Sequence, residues 1–155
     1  MKQRNVLLFA LVFIVISSCN QVYKEWEKES FSTLSWKPGN DIAFYPEIED
    51  TTQSYSLTLG IRHLYGSSLD EIRLIAKSVS PSRKEHIEKY TLKLKNEKGE
   101  SLANCTGNIC DFETIVDKNL RFSEAGKHTF SISPDPEGGR IVGIMEFGFI
   151  VHSND

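Results

Sequence analysis

Long hydrophobic runs and the common catalytic motifs are scarce in this chain of 155 residues. Its one long apolar run, residues 6–16, has eleven residues without a charge, whereas a helix needs about 20 apolar residues to cross a bilayer. The sequence has no P-loop, no G-x-S-x-G elbow and no H-E-x-x-H pair. We therefore predict a protein that is not an enzyme, with no catalytic residues, no cofactor and no transmembrane helix.

Positive charge is also in short supply, since 18 Lys and Arg face 21 Asp and Glu. A net charge of −3 without a basic, aromatic-rich cluster argues against nucleic acid as a partner. None of the four histidines has another at i+2 or i+4, the spacings that place two ligands side by side, so we predict no local metal site. These histidines are His63, His86, His128 and His152.

The N-terminal segment has the three parts of an export signal. Lys2 and Arg4 precede the apolar run, which ends in the tetrapeptide I-S-S-C at Cys19. An aliphatic residue, two small residues and a cysteine resemble the lipobox of bacterial lipoproteins, in which the thiol accepts a lipid. We predict that residues 1–18 are a signal peptide and that Cys19 carries the lipid. A plain signal peptide, or an N-terminal helix, with a chance cysteine is the alternative.

Two cysteines remain after Cys19, namely Cys105 and Cys110. An exported protein occupies an oxidising compartment, where such a pair tends to close. The segment N-C-T-G-N-I-C has a Gly-Asn turn signal between the two thiols, and strand ends joined there bring the cysteines within bonding reach. We predict a disulfide, with two separate thiols as the alternative.

Apolar and polar residues alternate with a period of two through most of the mature chain. The clearest case is residues 54–64, in which Leu57, Leu59 and Ile61 share a face with Tyr55. Further strands are predicted within residues 72–77, 90–95, 128–133 and 141–151, the last apolar on both faces and therefore central in its sheet. We predict an all-β fold, a β-sandwich of antiparallel strands with an Ig-like or jelly-roll-like architecture.

The predicted domain organisation is simple. Removal of residues 1–18 leaves 137 residues, the length of one domain, with 16 basic against 21 acidic side chains. Residues 19–29 are polar and predict a lipidated tether, and residues 30–155 predict the β-sandwich. Helix signals are few: residues 82–89 predict a short helix or surface turn, and residues 111–119 another short turn.

Arg62 and Tyr65 are the candidate partner surface. Arg62 lies at a polar position of the predicted strand, and arginine and tyrosine are over-represented among interface hot spots. Alternatively, Arg62 pairs with a nearby acid such as Asp70 or Glu71. A carboxylate cluster at residues 47–50 is most simply a solvated loop.

The order of these motifs resembles the gliding-motility lipoprotein family GldH. The matching pieces run from the lipid cysteine to the last strand. They are Tyr23 with Trp26, Phe31 with Trp36 and Phe44, the strand Tyr55–Leu64 with Tyr65 and Leu69, Phe122 with Gly126, His128, Phe130 and Ile132, and Ile141 with Gly143, Ile144, Phe147 and Gly148. Residues 100–111 depart from the family, since two cysteines replace an expected Gly/Trp-rich turn.

The resemblance implies a non-enzymatic accessory lipoprotein, exported and lipid-anchored in the outer membrane. Its implied partners are the membrane, through the lipid, and envelope proteins of the gliding-motility and associated secretion machinery. A surface lipoprotein that binds a glycan or another ligand is the alternative. A hydrolase ranks third, because the sequence shows no nucleophile–base set.

Overall fold

Two antiparallel β-sheets pack face to face in the computed structural model of the protein, which describes residues 21–154. The predicted all-β antiparallel fold is confirmed. The predicted signal peptide and Cys19 lie outside the described residues. Within residues 21–154, the helical segments are two 3-10 turns, Glu29–Phe31 and Pro136–Gly138, and no helix there is long and apolar enough to cross a membrane.

The larger sheet has five strands and the smaller has four. In chain order the strands are β1 (Gln21–Glu27), β2 (Ser35–Trp36), β3 (Ile42–Phe44), β4 (Glu47–Ile48), β5 (Tyr55–Leu64), β6 (Glu71–Val79), β7 (Glu85–Lys93), β8 (Asn104–Thr106), β9 (Ile109–Leu120), β10 (Gly126–Lys127), β11 (Thr129–Pro134), β12 (Ile141–Val142) and β13 (Ile144–Ser153). The larger sheet has the order β1-β13-β5-β9-β8, and the smaller has the order β3-β11-β6-β7. Two short pairs, β10 with β4 and β12 with β2, complete the pairing.

The core lies between the inner faces of the two sheets. Leu57, Leu59 and Ile61 of β5 are fully buried, as the period-two pattern predicts. Phe149 of β13 stacks on Phe44 of β3 with ring centroids 4.9 Å apart, which joins the larger sheet to the smaller one. Burial of such side chains contributes about 1.5–3 kcal/mol each, so this apolar layer is the main stabilising element. The middle strand of the larger sheet is β5, with β13 beside it.

The structure corrects the predicted tether. Gln21–Glu27 forms β1, an edge strand that pairs antiparallel with β13 from His152 to Phe147. Its sequence is typical of a linker because most of its side chains are exposed at the sheet edge. Two aromatic residues hold β1 against the sheet. The ring centroid of Tyr23 is 6.1 Å from that of Phe149 in the core, and Trp26 lies on the outer face of the sheet.

Trp26 covers two glycines on the outer face of the larger sheet. The register places Trp26 opposite Gly148, and Gly148 opposite Gly60. A Cβ atom built on Gly60 would lie 2.5 Å from the indole Cη2, and one on Gly148 would lie 2.7 Å from Cε2. The indole therefore rests directly on the backbone of the two neighbouring strands, and only glycine permits that approach.

The two predicted short turns are also corrected. Residues 82–89 span the β6–β7 turn and the first half of β7, and residues 111–119 lie within the twelve-residue strand β9. Both segments have few apolar residues because each of these strands lies at or next to a sheet edge and exposes many of its side chains.

Candidate functional site

The N-terminus of β1 defines one end of the sandwich, which we call the anchor end. Gln21 pairs with His152, near the end of β13. The amide of Asn154 donates to the carbonyl of Ser54 at 3.0 Å, just before β5 begins. The sheet begins two residues after Cys19, a separation of at most about 7 Å for an extended chain. A lipid on Cys19 would therefore hold this end close to a membrane.

The opposite end, which we call the distal end, is built from four chain segments joined by backbone hydrogen bonds. The Leu64 amide donates to the Gly143 carbonyl at 2.8 Å, and the Gly143 amide donates to the Leu34 carbonyl at 2.7 Å. The Tyr65 amide donates to the Asn108 carbonyl at 2.9 Å. These bonds place the turn after β5, the segment before β2, the β12–β13 junction and the β8–β9 turn side by side.

Large apolar side chains are exposed on all four of these segments. Tyr65 is 68% exposed and Val142 is 62% exposed, and Leu34 and Ile109 are also exposed. A depression of about 570 Å³ lies beside Tyr65 and Val142 and is bordered by Arg140. Single exposed apolar residues are ordinary, but several on adjoining segments are typical of a contact surface.

Arg62 lies elsewhere, between two acids on the outer face of the larger sheet. Its Nε is 2.7 Å from Oδ1 of Asp111, and its Nη1 is 3.1 Å from Oε1 of Glu146. The hydrogen bond that Arg62 donates to Asp111 is the main reason that the pKa of Arg62 is raised. Arg62 therefore pairs with acidic residues, as the alternative interpretation holds, but its partners are not the acids that were predicted. Its charge is met within its own sheet, whereas Tyr65 is exposed at the distal end.

The two acids that the sequence offered to Arg62 have other partners. Asp70 pairs with Lys95, and Glu71 pairs with Arg73 at 2.9 Å. Asp111 and Glu146 are 49 and 84 residues away from Arg62 in the chain. Only the strand register brings them to its sides, so local sequence could not identify them.

Three of the four histidines are held by local contacts. Nδ1 of the buried His63 is 2.9 Å from Oγ of Ser67, while its Nε2 has no hydrogen-bond partner among the described residues. Nε2 of His128, also buried, is 2.9 Å from the Glu124 carbonyl oxygen. His86 pairs with Glu88. Across residues 21–154, no group of three His, Cys, Asp or Glu side chains is placed to hold a metal ion.

The carboxylate cluster lies at the anchor end. Glu47, Glu49 and Asp50 border a hollow of about 300 Å³ together with Val22. The hydroxyl and amide of Thr52 both donate to Asp50 at 2.7 Å, and these bonds hold the pKa of Asp50 below its usual value. Asp50 thus stabilises a local turn by accepting hydrogen bonds.

Cys105 and Cys110 are joined in a disulfide, with their Cα atoms 4.0 Å apart. The bond connects β8 to β9 around the turn at Gly107 and Asn108. Because the Asn108 carbonyl accepts a hydrogen bond from the Tyr65 amide, the disulfide-linked hairpin of β8 and β9 holds the turn after β5 in place at the distal end.

This fold and these surfaces define a small antiparallel β-sandwich with an exposed apolar end opposite the start of β1. The family model described as GldH lipoprotein matches residues 21–151, and the chain belongs to this family. The gliding motility lipoprotein GldH homolog of Christiangramia forsetii is 26% identical over 160 residues, which cover 97% of this chain and 96% of the relative. No solved structure gives a significant match. The predicted family is confirmed, and the chain is a lipoprotein tied to gliding motility.

Proposed function

We propose that the protein is a non-enzymatic accessory component of the gliding-motility and associated secretion machinery. In this proposal, the lipid on Cys19 holds the domain in the outer membrane, and the distal end binds an envelope protein. Anchoring confines the domain to one surface and raises its local concentration beside a partner in the same envelope. The protein then contributes by position and contact, without turning over a substrate.

The observation that carries the proposal is the position of the exposed apolar surface. Tyr65, Val142, Leu34 and Ile109 lie at the end of the strands opposite Gln21. A short link from Cys19 to Gln21 directs the anchor end toward the bilayer, so the distal end points away from it. A surface placed in this way is available to a protein that approaches from the aqueous side.

The glycan-binding alternative has less support. Such a protein needs several exposed aromatic rings on one surface, where sugar rings can stack. Trp36 is buried in the core, and Trp26 is half-buried over Gly60 and Gly148. Neither tryptophan therefore offers a freely exposed ring for a sugar to stack on, which favours a protein partner for the distal end.

The proposal is tested by affinity capture of the full-length lipoprotein from gliding cells, combined with a motility assay. The test variants are Tyr65→Ala and Val142→Ser, and the control is Ile87→Ser, an exposed apolar residue on β7. Loss of a hot-spot side chain costs about 2 kcal/mol or more, so the affinity for the bound envelope proteins should fall roughly 30-fold in the test variants, and their recovery should fall with it. Colony spreading should fall with it.

The control variant should recover the same proteins as wild type and support spreading. Equal recovery by all variants at equal abundance would show that the distal end is not the partner surface. Glycan-array binding by wild type without any envelope protein recovered would replace the proposal with the glycan-binding function.

A further inference from the structure

The outer edge of β9 is unpaired over most of its length in the described part of the chain. β9 has twelve residues, and β5 pairs with it along its inner side. On the outer side, β8 pairs only with Ile109, Cys110 and Asp111. From Phe112 onward, no strand within residues 21–154 pairs with this edge.

The hairpin geometry fixes which backbone groups point outward. A two-residue turn separates Thr106 from Ile109, so these two form a hydrogen-bonded pair. In an antiparallel ladder such pairs alternate along the strand, which makes Asp111 the next residue bonded to β8. Continuing the alternation, Glu113 and Ile115 direct their N–H and C=O groups to the free edge.

The backbone groups of the intervening residues point to the other side of the strand, toward β5. Phe112 pairs with Ile61 and Thr114 pairs with Leu59, and their backbone groups bond to β5. A partner strand could therefore bond to Glu113 and Ile115 without breaking any bond of the existing sheet.

A groove of about 430 Å³ lies along this edge, between β9 and β7. Its apolar wall contains the half-exposed Leu102 and Ile115, together with the more buried Phe112 and Tyr90. Burial, and then the carboxylates of Asp117 and Glu88, raise the pKa of Tyr90 to about 12. Its phenol is therefore neutral. Lys89 and Lys93 also border the groove, so it offers apolar surface and two cationic side chains beside unpaired backbone.

This stretch of β9 carries fewer charged side chains of its own than the edge strand β7 does. Sheet edges are commonly shielded by charged side chains, which discourage the pairing of foreign strands. β7 carries two ion pairs, formed by Glu85 with Lys77 and by Lys89 with Asp135. Nε2 of His86 also lies 3.1 Å from Oε2 of Glu88. Residues 112–116 of β9 contain a single charge, at Glu113.

We infer that the free edge of β9 binds an extended segment of a partner protein, which adds to the larger sheet as a further strand. The segment presents an apolar side chain at alternate positions, so that one side enters the groove while its backbone bonds to Glu113 and Ile115. This surface is separate from the distal end and does not depend on the function proposed for it.

A phage-displayed library of random dodecapeptides, panned on the oxidised mature chain, tests the inference. Enriched peptides should alternate apolar and polar residues. Their binding should slow hydrogen exchange at the amides of Glu113 and Ile115 at least tenfold. Ile115→Pro removes one outward N–H while sparing the bonds to β5, so it should weaken binding at least tenfold with a melting temperature near that of wild type.

Two further variants distinguish the contribution of the backbone hydrogen bonds to binding from that of the groove. Ile115→Ala keeps the outward N–H and should change the affinity less than Ile115→Pro does. Leu102→Asp leaves β9 intact and should weaken binding at least tenfold through the groove wall, which keeps the test valid even if the proline variant unfolds. Tyr65→Ala, at the distal end, should bind the peptides as wild type does.

Failure to enrich any peptide would overturn the inference, and so would equal binding to wild type, Ile115→Pro and Leu102→Asp. A dimer detected by light scattering that Ile115→Pro converts to monomer would make a second copy of this chain the occupant, and the partner assignment would be wrong.

Discussion

Asp135 shows how one buried carboxylate connects two parts of the smaller sheet. Its Oδ2 is 2.8 Å from Nζ of Lys89 on β7, and its Oδ1 accepts the Glu137 amide at 3.1 Å. Its own amide donates to the Arg73 carbonyl on β6 at 2.9 Å. The hydrogen bond from Lys89, followed by that from Glu137, holds the pKa of Asp135 below its usual 3.8.

Asp135→Asn tests the pH dependence that follows. A carboxyl group with a lowered folded-state pKa contributes stability above its unfolded-state pKa, and that contribution is lost as the pH falls through the lowered value. We expect Asp135→Asn to reduce the melting temperature at pH 7 and to have a smaller effect near pH 2. Thermal unfolding at both pH values measures the difference.

Glu97→Gln, in the exposed turn after β7, is the control and should melt like wild type at both pH values. An equal loss of stability from Asp135→Asn at pH 7 and pH 2 would show that the ionised form contributes nothing.

At this scale the sequence predicted local patterns and missed distant pairs. Leu57, Leu59 and Ile61 were assigned to the core because alternation along a strand is a local property. The same alternation implied an open outer face, yet Thr58 is buried there. Side chains of the neighbouring strands cover that face, and a single sequence does not reveal which strands are neighbours.

Among the elements, β1 depends most on a single side chain. Trp26 lies across Gly148 and Gly60, so it links the edge strand to the next two strands of the larger sheet. Added methyl groups in a tightly packed position cost about 1–3 kcal/mol. We expect Gly60→Ala to lower the free energy of unfolding by that amount and to speed hydrogen exchange in β1.

Gly138→Ala is the matched control, because a Cβ atom there would meet Arg73 at an ordinary 3.5 Å. In a double-mutant cycle, the cost of Gly60→Ala should shrink when Trp26→Ala is also present, since the clashing ring is gone. An unchanged cost would mean that the glycine serves some purpose other than accommodating the indole.

The elements that the sequence misassigned share a cause. β1 and β9 lie at, or partly form, sheet edges, where few side chains enter the core. Their periodicity is therefore weak, and polar composition alone is typical of a linker or a turn. The strands with strong periodicity, β5 and β6, were predicted with nearly the correct bounds.

For the whole molecule, the main expectation concerns attachment. We expect Cys19→Ala to abolish membrane retention, because the proposed lipid on this thiol supplies the anchoring free energy. Fractionation of cells followed by immunoblotting gives the membrane share, and mass spectrometry gives the processing state. The variant should accumulate as an unprocessed or soluble form.

The Cys105→Ser/Cys110→Ser double variant is the control, since it also removes thiols but leaves Cys19 in place; it should remain in the membrane fraction. Equal membrane shares for wild type and for the processed form of Cys19→Ala would disprove the anchor.

The overall architecture was predictable, and the two-ended arrangement was not. Frequent short strands separated by Gly, Pro and Asn turns indicated a sandwich. The distal end depends on bonds between segments as remote as Leu34 and Gly143. Its recognition also required the finding that β1, rather than a tether, begins at Gln21.

The antiparallel pairing of β1 with β13 also bears on mechanical strength. If a partner pulls on the distal end while the lipid holds Cys19, tension enters β1 at Gln21 and runs along the strand axis. The hydrogen bonds from Gln21 to Glu27 then share the load in shear, instead of opening one after another as in peeling. Trp26, seated on two glycines, resists the same sliding motion. Under the proposed function, an edge strand with the composition of a linker would be the element that carries this load.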